Sequence, residues 1–218
     1  GSQRIDNESI GVYVFEDDGE RKVAFQNPDN NPIYQLRAEA KEFAEGVFYF
    51  KSERIGTFDK SLTKEEILRS NIANLPSVIH TAYTSNSKRF ENGYMQKVNR
   101  VLPNVKHVSP ELTGNSGVTL NVWSKEQLEK GPNLSIPIDD CGTGVGQVLA
   151  VLYVIEYMSP RIIVIDEPNS FLHPSATREL MRIFRENTQH QYFISTHSQE
   201  VFREARPKHY ITLHHEDY

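Results

Sequence analysis

The sequence predicts an α/β fold in which helices cover both faces of a parallel sheet. From about residue 141 onward, apolar helices alternate with strands, which is the pattern of parallel strands joined by crossover helices. The run Ile162–Ile165 is uninterrupted aliphatic sequence, as expected for a strand buried on both faces. Before this stretch, short β runs and helices mix, so we expect a mixed β and helical part to precede the parallel lobe.

The first part of the chain contains a predicted hairpin. Gly11–Phe15 and Arg21–Phe25 flank the turn Asp17–Glu20, whose glycine suits a tight connection. Thr63–Glu66 has the form of a capping box, which predicts a helix through Ile72. Apolar spacing and breakers predict the remaining elements: helix Gln35–Ala44, strand Gly46–Phe50, helix Lys88–Leu102 ending at Pro103, and strand Gly117–Trp123 within a β region from Val105 to Ile138.

The second part of the chain begins with a glycine-rich loop. Periodicity then predicts these elements in order: an apolar helix from the loop Cys141–Gly146 through Met158, strand Ile162–Ile165, helix Ser175–Glu186, strand Tyr192–Ser195, helix Gln199–Ala205 and strand His209–Leu213. We therefore divide the chain into a tag-removal scar at residues 1–2, a mixed α/β and helical part at 3–135, and an α/β lobe at 136–218.

Composition excludes several classes of protein. The 218 residues, 38% hydrophobic, contain no run long enough to span a bilayer and no signal peptide, so we expect a cytoplasmic protein with no membrane partner. The single cysteine, Cys141, excludes an internal disulfide and a cysteine-based zinc cluster. A net charge of -5 gives no global attraction to nucleic acid. A local basic surface from Lys88, Arg89, Lys97 and Arg100 stays open, although solvated helix charges are commoner.

Polar residues follow two of the predicted parallel strands. Asp166 and Glu167 come directly after Ile162–Ile165, and His197 follows the next strand, so all three should meet at the edge of the sheet where ligands bind. Adjacent carboxylates favour Mg²⁺ near Asp166, with Glu167 orienting or deprotonating a water. The residues alone leave a second interpretation open, in which Asp-Glu-Pro is a solvated loop and the histidine is incidental.

The glycine-rich loop is the third candidate feature. Gly142, Gly144 and Gly146 allow close backbone approach, and the helix that follows offers unpaired N–H groups to an anion. A phosphate site and a simple turn are both compatible with these glycines.

Taken in order, these segments resemble the carboxyl-terminal half of an ABC-type ATPase head, in particular the OLD-like and RecF-like prokaryotic AAA ATPases. DCGTGVGQ looks like a variant signature motif, RIIVIDEP like Walker B, NSFLHP like the D-loop region and STHS like the H-loop. KSERIG, residues 51–56, resembles the Ser-Glu-Arg segment of those proteins. The resemblance is strong from Ile136 to Leu213 and weaker before it.

The resemblance implies a role for each site residue. Asp166 would bind Mg²⁺, Glu167 would position the attacking water, and His197 would contact the γ-phosphate of ATP. The other two segments would face a second copy of the head, in a homodimer driven by ATP. They comprise the signature residues Gly142, Thr143 and Gly144, which would press on the partner's ATP, and the dimer-seam residues Asn169 and Ser170.

One ATPase motif is missing from the sequence. No G-x-x-x-x-G-K-S/T occurs, and Gln147 stands where the signature-loop glycines would need a lysine to form Walker A. We expect the Walker A segment upstream of Gln3, and this chain alone to be inactive. Three functions follow from the resemblance: an ATPase head whose dimerisation controls a nuclease or effector, for example in phage defence; a DNA repair or recombination ATPase with DNA as partner; and a non-catalytic dimerisation module. The first is favoured.

Overall fold

The computed structural model describes residues 11–17, 20–26, 46–50, 57–114, 116–124, 135–170 and 172–211. The chain divides into two compact units, Gly1–Val47 and Phe48–Tyr218. The strands are β1 Gly11–Asp17, β2 Glu20–Gln26, β3 Val47–Phe50, β4 Val105–Thr113, β5 Gly117–Ser124, β6 Ile136–Pro137, β7 Ile162–Asp166 and β8 Gln191–Ser195. The helices are α1 Leu75–Ser85, α2 Ser87–Arg89, α3 Gln96–Val101, α4 Thr143–Tyr157, α5 Pro174–Glu186 and α6 Gln199–Ala205, with a π-helical segment at Phe90–Met95 and a 3₁₀ turn at Ile138–Asp140.

The first unit contains the predicted hairpin. β1 and β2 pair antiparallel along their whole length, from Gly11 opposite Gln26 to Asp17 opposite Glu20. The hairpin prediction is therefore confirmed, and each strand, at 7 residues, extends beyond the range that the sequence pattern indicated. The predicted helix Gln35–Ala44 and the segment at residues 51–56 lie outside the described residues.

The predicted capping box at Thr63–Glu66 is wrong, because the described chain from there to Asn74 contains no helix. The Thr63 hydroxyl donates to Glu65 Oε1 at 2.7 Å instead of capping a helix. The Glu65 carboxylate also accepts hydrogen bonds from Arg69 and Asn74. Polar side chains that bind one another locally give the backbone an alternative to the helix, so the chain through Ile72 is irregular.

The helical stretch predicted at Lys88–Leu102 is present as α2, the π-helical segment and α3. Phe90, Tyr94 and Val98 recur every fourth residue and are fully buried, so one face of this stretch packs into the core. The Tyr94 hydroxyl donates to the carbonyl of Leu149 in α4 at 2.9 Å, which joins the two helical layers.

The predicted β region from Val105 to Ile138 forms an antiparallel sheet in the order β4-β5-β6. Val118, Leu120 and Val122 of β5 alternate into the core, as their period of two predicts. Trp123 at the end of β5 donates from its indole N–H to Ser109 Oγ at 2.9 Å, a packing role within the sheet.

A second sheet, in the order β3-β7-β8, carries the parallel pair. β7 and β8 pair in register from Ile162 opposite Gln191 to Asp166 opposite Ser195. The α/β fold class with a parallel sheet and helices is therefore confirmed. α4 is buried along most of its length and forms much of the core. It begins at Thr143, so the residues from Thr143 to Gly146 belong to a helix and not to a loop as predicted.

The end of the described chain differs from the predicted strand His209–Leu213. Residues 209–211 are not in a strand. Tyr210 and Ile211 are 72% and 89% exposed, and the Tyr210 ring packs edge-on against Phe202 at 5.5 Å. Residues 212–218 lie outside the described residues. None of the helices in the described ranges is long and apolar enough to cross a membrane.

Candidate functional site

The carboxyl ends of β7 and β8 bring polar side chains together. Asp166 and Ser195 are the last residues of the two strands and lie opposite each other. The Ser195 hydroxyl donates a hydrogen bond to Asp166 Oδ1. Because the strands are parallel, both ends belong to the sheet edge where α/β proteins bind ligands.

Glu167 turns the chain sharply after β7. Its φ of 46° lies in the left-handed region, which a residue with a side chain adopts only when the surroundings impose it. Three hydrogen bonds impose it here. The Glu167 N–H donates to the Ser195 carbonyl at 3.0 Å, the Glu167 carbonyl accepts from Ser170 N–H at 2.9 Å, and Glu167 Oε1 accepts from His197 N–H at 2.8 Å.

The backbone N–H of His197 is hydrogen-bonded, whereas its side chain is exposed to solvent. Its N–H holds Glu167, while its imidazole is 100% exposed and places Nε2 3.8 Å from Glu167 Oε1. The Glu167 side chain is 22% exposed. Asp166, Glu167 and His197 therefore lie together, as the sequence predicts, with a carboxylate and an imidazole facing solvent. Their chemical roles stay predictions.

Asn169 and Ser170 lie in the turn after Glu167. Asn169 Oδ1 accepts a hydrogen bond from Thr196 Oγ1 at 3.1 Å, and Ser170 is exposed. Sequence analysis did not single out Ser195 or Thr196. Their position between an apolar strand and His197 is the signal that could have found them, because hydroxyl groups at a strand end commonly bind neighbouring turns.

The signature residues lie on a different element from this cluster. Gly142 precedes the first turn of α4, Gly142 and Thr143 are exposed, and Gly144 is half-buried. Among the described residues, none of the three is hydrogen-bonded to Asp166 or Glu167. The signature residues therefore lie at the start of α4, whereas Asp166, Glu167 and His197 lie at or just after the carboxyl ends of β7 and β8.

Cys141, next to the signature residues, is a free and half-buried thiol. Burial, with a smaller contribution from the charge of Asp140, raises the pKa of the Cys141 thiol. A raised pKa lowers the thiolate fraction, and the thiolate is the nucleophilic form. Burial therefore disfavours the thiolate form of Cys141.

Asp166 provides the type of ligand that Mg²⁺ prefers. In the part of the chain that the structure describes, no group of three or more His, Cys, Asp or Glu residues could hold a metal ion. Mg²⁺ does not need such a cage, since it is commonly bound by one or two carboxylates together with water and substrate phosphates. The Asp166 carboxylate, bound by the Ser195 hydroxyl, fits that sparse donor set.

A protein-family comparison identifies the domain. The family model described as "AAA domain, putative AbiEii toxin, Type IV TA system" matches residues 3–203, which include both strand ends and the signature residues. The chain belongs to this AAA family. It is thus an ATPase-type, nucleotide-using domain. The narrower resemblance to OLD-like and RecF-like ATPases stays a prediction. No curated protein matches the chain.

Solved structures of SMC heads are also similar to the chain. The SMC head domain of Pyrococcus furiosus with an extended coiled coil, bound to the C-terminal domain of ScpA, shares 11% identity over 62% of this chain and 34% of that one, with a TM-score of 0.44. The SMC head domain from Thermotoga maritima shares 14% identity over 88% and 65%, with a TM-score of 0.41. An SMC head bound to the C-winged helix domain of ScpA shares 10% identity over 84% and 59%, with a TM-score of 0.48. The chain spans between 34% and 65% of the length of these structures.

Proposed function

We propose that the chain is the Walker B to H-loop half of an ATP-hydrolysing head. The observation that carries the proposal is the clamp on Glu167, whose Oε1 is held by His197 N–H at 2.8 Å beside Asp166. A carboxylate fixed in this way at the ligand-binding edge of a parallel sheet suits a group that orients or deprotonates water.

Each residue of the cluster has one task in this proposal. Mg²⁺ and ATP, when bound, supply the charge neutralisation and the phosphoryl group. Asp166 holds the metal ion, since its carboxylate lies at the end of β7 and is oriented by Ser195. Glu167 positions the attacking water and accepts its proton, and the exposed His197 imidazole contacts the γ-phosphate.

The exposed residues outside the cluster support a two-copy site. Gly142, Thr143 and Gly144 begin α4, where unpaired N–H groups attract a phosphate. Because they make no hydrogen bond to Asp166 or Glu167 among the described residues, we assign them to the ATP held by a second copy. Asn169 and Ser170 would lie at the seam between the copies. ATP-driven dimerisation would then control a nuclease or effector, for example in phage defence.

The proposed site needs a Walker A segment to cradle the β- and γ-phosphates. The sequence contains no G-x-x-x-x-G-K-S/T, and we assign this motif to a segment upstream of Gln3 in the full-length protein. The 218-residue chain alone would then bind ATP weakly and show no turnover, whereas the full-length protein would hydrolyse ATP.

The ion pairs of the helical stretch disfavour the alternative of a DNA repair ATPase. Arg89 and Lys97 bind Glu156 at 3.0 and 2.7 Å, and Arg100 binds Glu179 and Glu186, each at 2.7 Å. Cations already neutralised by carboxylates release few counterions on binding phosphates. DNA-stimulated turnover with a steep salt dependence would nevertheless establish this alternative.

The decisive experiment compares the full-length protein, including its Walker A segment, with its Glu167→Gln variant. We expect turnover to fall about 10²- to 10⁴-fold, as for the loss of a general base, while ATP binding is kept and a nucleotide-bound dimer accumulates in a mass measurement. Glu111→Gln is the matched control, because this β4 glutamate accepts a hydrogen bond from Asn121 within the antiparallel sheet, outside the cluster. Equal turnover in the wild type and Glu167→Gln would contradict the role of Glu167, and turnover absent from both would favour the non-catalytic dimerisation module.

A further inference from the structure

Side-chain hydrogen bonds continue the pairing of β7 and β8 beyond the ends of the strands. The Glu167 N–H donates to the Ser195 carbonyl at the strand ends. Thr196 then makes a further contact between the loops that follow β7 and β8. Its hydroxyl donates to Asn169 Oδ1 at 3.1 Å and accepts from Ser198 N–H at 3.0 Å. One hydroxyl thus uses both its donor and an acceptor position.

The same series of hydrogen bonds reaches the next helix. The Ser198 hydroxyl accepts the N–H of Val201 at 3.3 Å and so caps the amino terminus of α6. Thr196 therefore lies between the turn that contains Asn169 and the start of α6. The backbone of His197 is held in place by this arrangement, since Thr196 and Ser198 on either side are hydrogen-bonded and its own N–H binds Glu167.

We propose that Thr196 is a positioning residue for the hydrolysis step, a role that rests on the proposed ATPase function. Its hydroxyl holds the loop of residues 196–198 against the turn of residues 167–169, which keeps His197 N–H on Glu167 Oε1. It also ties the proposed seam residue Asn169 to the proposed catalytic residues. The arrival of a second copy at Asn169 would thereby be transmitted to Glu167.

Two substitutions at Thr196 distinguish the role of its hydroxyl from the packing of its side chain. A Thr196→Val substitution keeps the branched shape but removes the hydroxyl, so Asn169 Oδ1 and Ser198 N–H lose a partner. A Thr196→Ser substitution keeps the hydroxyl and removes only a methyl group. Thr84→Val is a matched control, because the Thr84 hydroxyl donates to His80 within α1 at 2.8 Å and lies on a different element.

The test measures steady-state ATP hydrolysis by the full-length protein and these variants. For Thr196→Val we expect kcat to fall roughly 10- to 100-fold, since small misplacements of reacting groups have effects of that size, with KM for ATP unchanged. Thr196→Ser should restore kcat to near the wild-type value, and Thr84→Val should leave it unchanged. A merely structural role would instead lower the melting temperature and leave kcat per folded molecule intact.

A double-mutant cycle tests whether Thr196 acts through Asn169. Asn169→Ala and Thr196→Val should each lower kcat, and the double variant should be no worse than the poorer single variant. Additive losses, an unchanged kcat in Thr196→Val, or a Thr196→Ser variant as slow as Thr196→Val would overturn the positioning role. A wild-type protein without ATP turnover would overturn the proposed function itself, a result distinct from any of these.

Discussion

The two ends of β8 each carry a histidine, and the two histidines have opposite environments. His190 comes directly before the strand and is 6% exposed, whereas His197 follows it and its side chain is 100% exposed. His190 Nδ1 accepts the Arg161 N–H at 3.2 Å, and Nε2 lies 3.3 Å from the Ile155 carbonyl, which assigns the proton to Nε2. The His197 ring lies 3.8 Å from Glu167, beyond hydrogen-bond distance.

Under the proposed function, the two ends of this strand would separate stability from chemistry. At the amino end, the polar atoms of His190 are bound within the core, as buried polar groups generally are. At the carboxyl end, the backbone groups are bound and hold the loop, while the Glu167 carboxylate and His197 imidazole face outward. Substitutions at the carboxyl end should therefore change turnover, and those at the amino end should change the free energy of unfolding.

The largest expected effect is at the carboxyl end. Asp166→Asn removes the charge that would hold Mg²⁺, and a bound metal ion is worth several kcal/mol of transition-state stabilisation, so ATP turnover of the full-length protein should fall about 10²- to 10⁴-fold. Asp59→Asn is the control, because Asp59 binds Ser61 in a loop outside the cluster. Equal turnover in Asp166→Asn and the wild type would break the assignment of chemistry to this end.

The next effect is at the amino end. His190→Ala removes the acceptor of the Arg161 N–H and leaves a small cavity, so the free energy of unfolding should fall by about 1–3 kcal/mol. Denaturant titration measures this change, and ATP turnover per folded molecule should stay at the wild-type value. A His190→Ala variant with the stability of the wild type but slow ATP hydrolysis would contradict the stabilising role of His190.

The smallest expected effect is a change of the free energy of unfolding with pH, caused by His190. Burial lowers the pKa of His190 from its usual 6.5, with the nearby Arg161 charge adding to the effect and the hydrogen bond to Ile155 opposing it. As the pH falls, His190 is therefore protonated at a higher pH in the unfolded state than in the folded state. Stability is therefore complete above about pH 6.5 and declines as the pH falls from there toward the folded pKa.

Melting temperatures of the wild type and His190→Ala between about pH 7 and about pH 5 test this dependence. The wild type should lose more stability over that interval than the variant. Carboxylates such as Glu186, whose pKa is lowered mainly by its hydrogen bond to Arg100, lose their contribution at lower pH, as the pH falls through their folded pKa. Parallel curves for the two proteins would show that His190 does not titrate on unfolding.

The sequence predicted the parallel strands and the meeting of Asp166, Glu167 and His197. Aliphatic runs that stop at polar residues indicate both a buried strand and the edge at which it ends, so the elements and their order followed from local pattern. The partner of each side chain did not follow. The pairs Asp166 with Ser195 and Asn169 with Thr196 depend on the register of two strands about thirty residues apart, which apolar runs do not specify.

Two predictions failed for local reasons. The capping box at Thr63 gave way to hydrogen bonds among Thr63, Glu65 and Asn74, which compete with helix formation. The strand predicted from His209 is not formed over the described residues, because a run of β-forming side chains needs a neighbouring strand or core to bury it. In both cases the surroundings of the segment, and not its short sequence signal, decide its conformation.

The most direct test compares His197→Ala with His190→Ala in the full-length protein, measuring ATP turnover and thermal unfolding on the same samples. We expect His197→Ala to lower turnover about 10²- to 10³-fold, because it removes one preorganised group at the reacting phosphate, and to leave the melting temperature unchanged. We expect His190→Ala to lower the melting temperature and to leave turnover unchanged. Wild-type turnover in His197→Ala, or a melting temperature lowered as much as in His190→Ala, would contradict the assignment of ATP hydrolysis to the carboxyl end of β8.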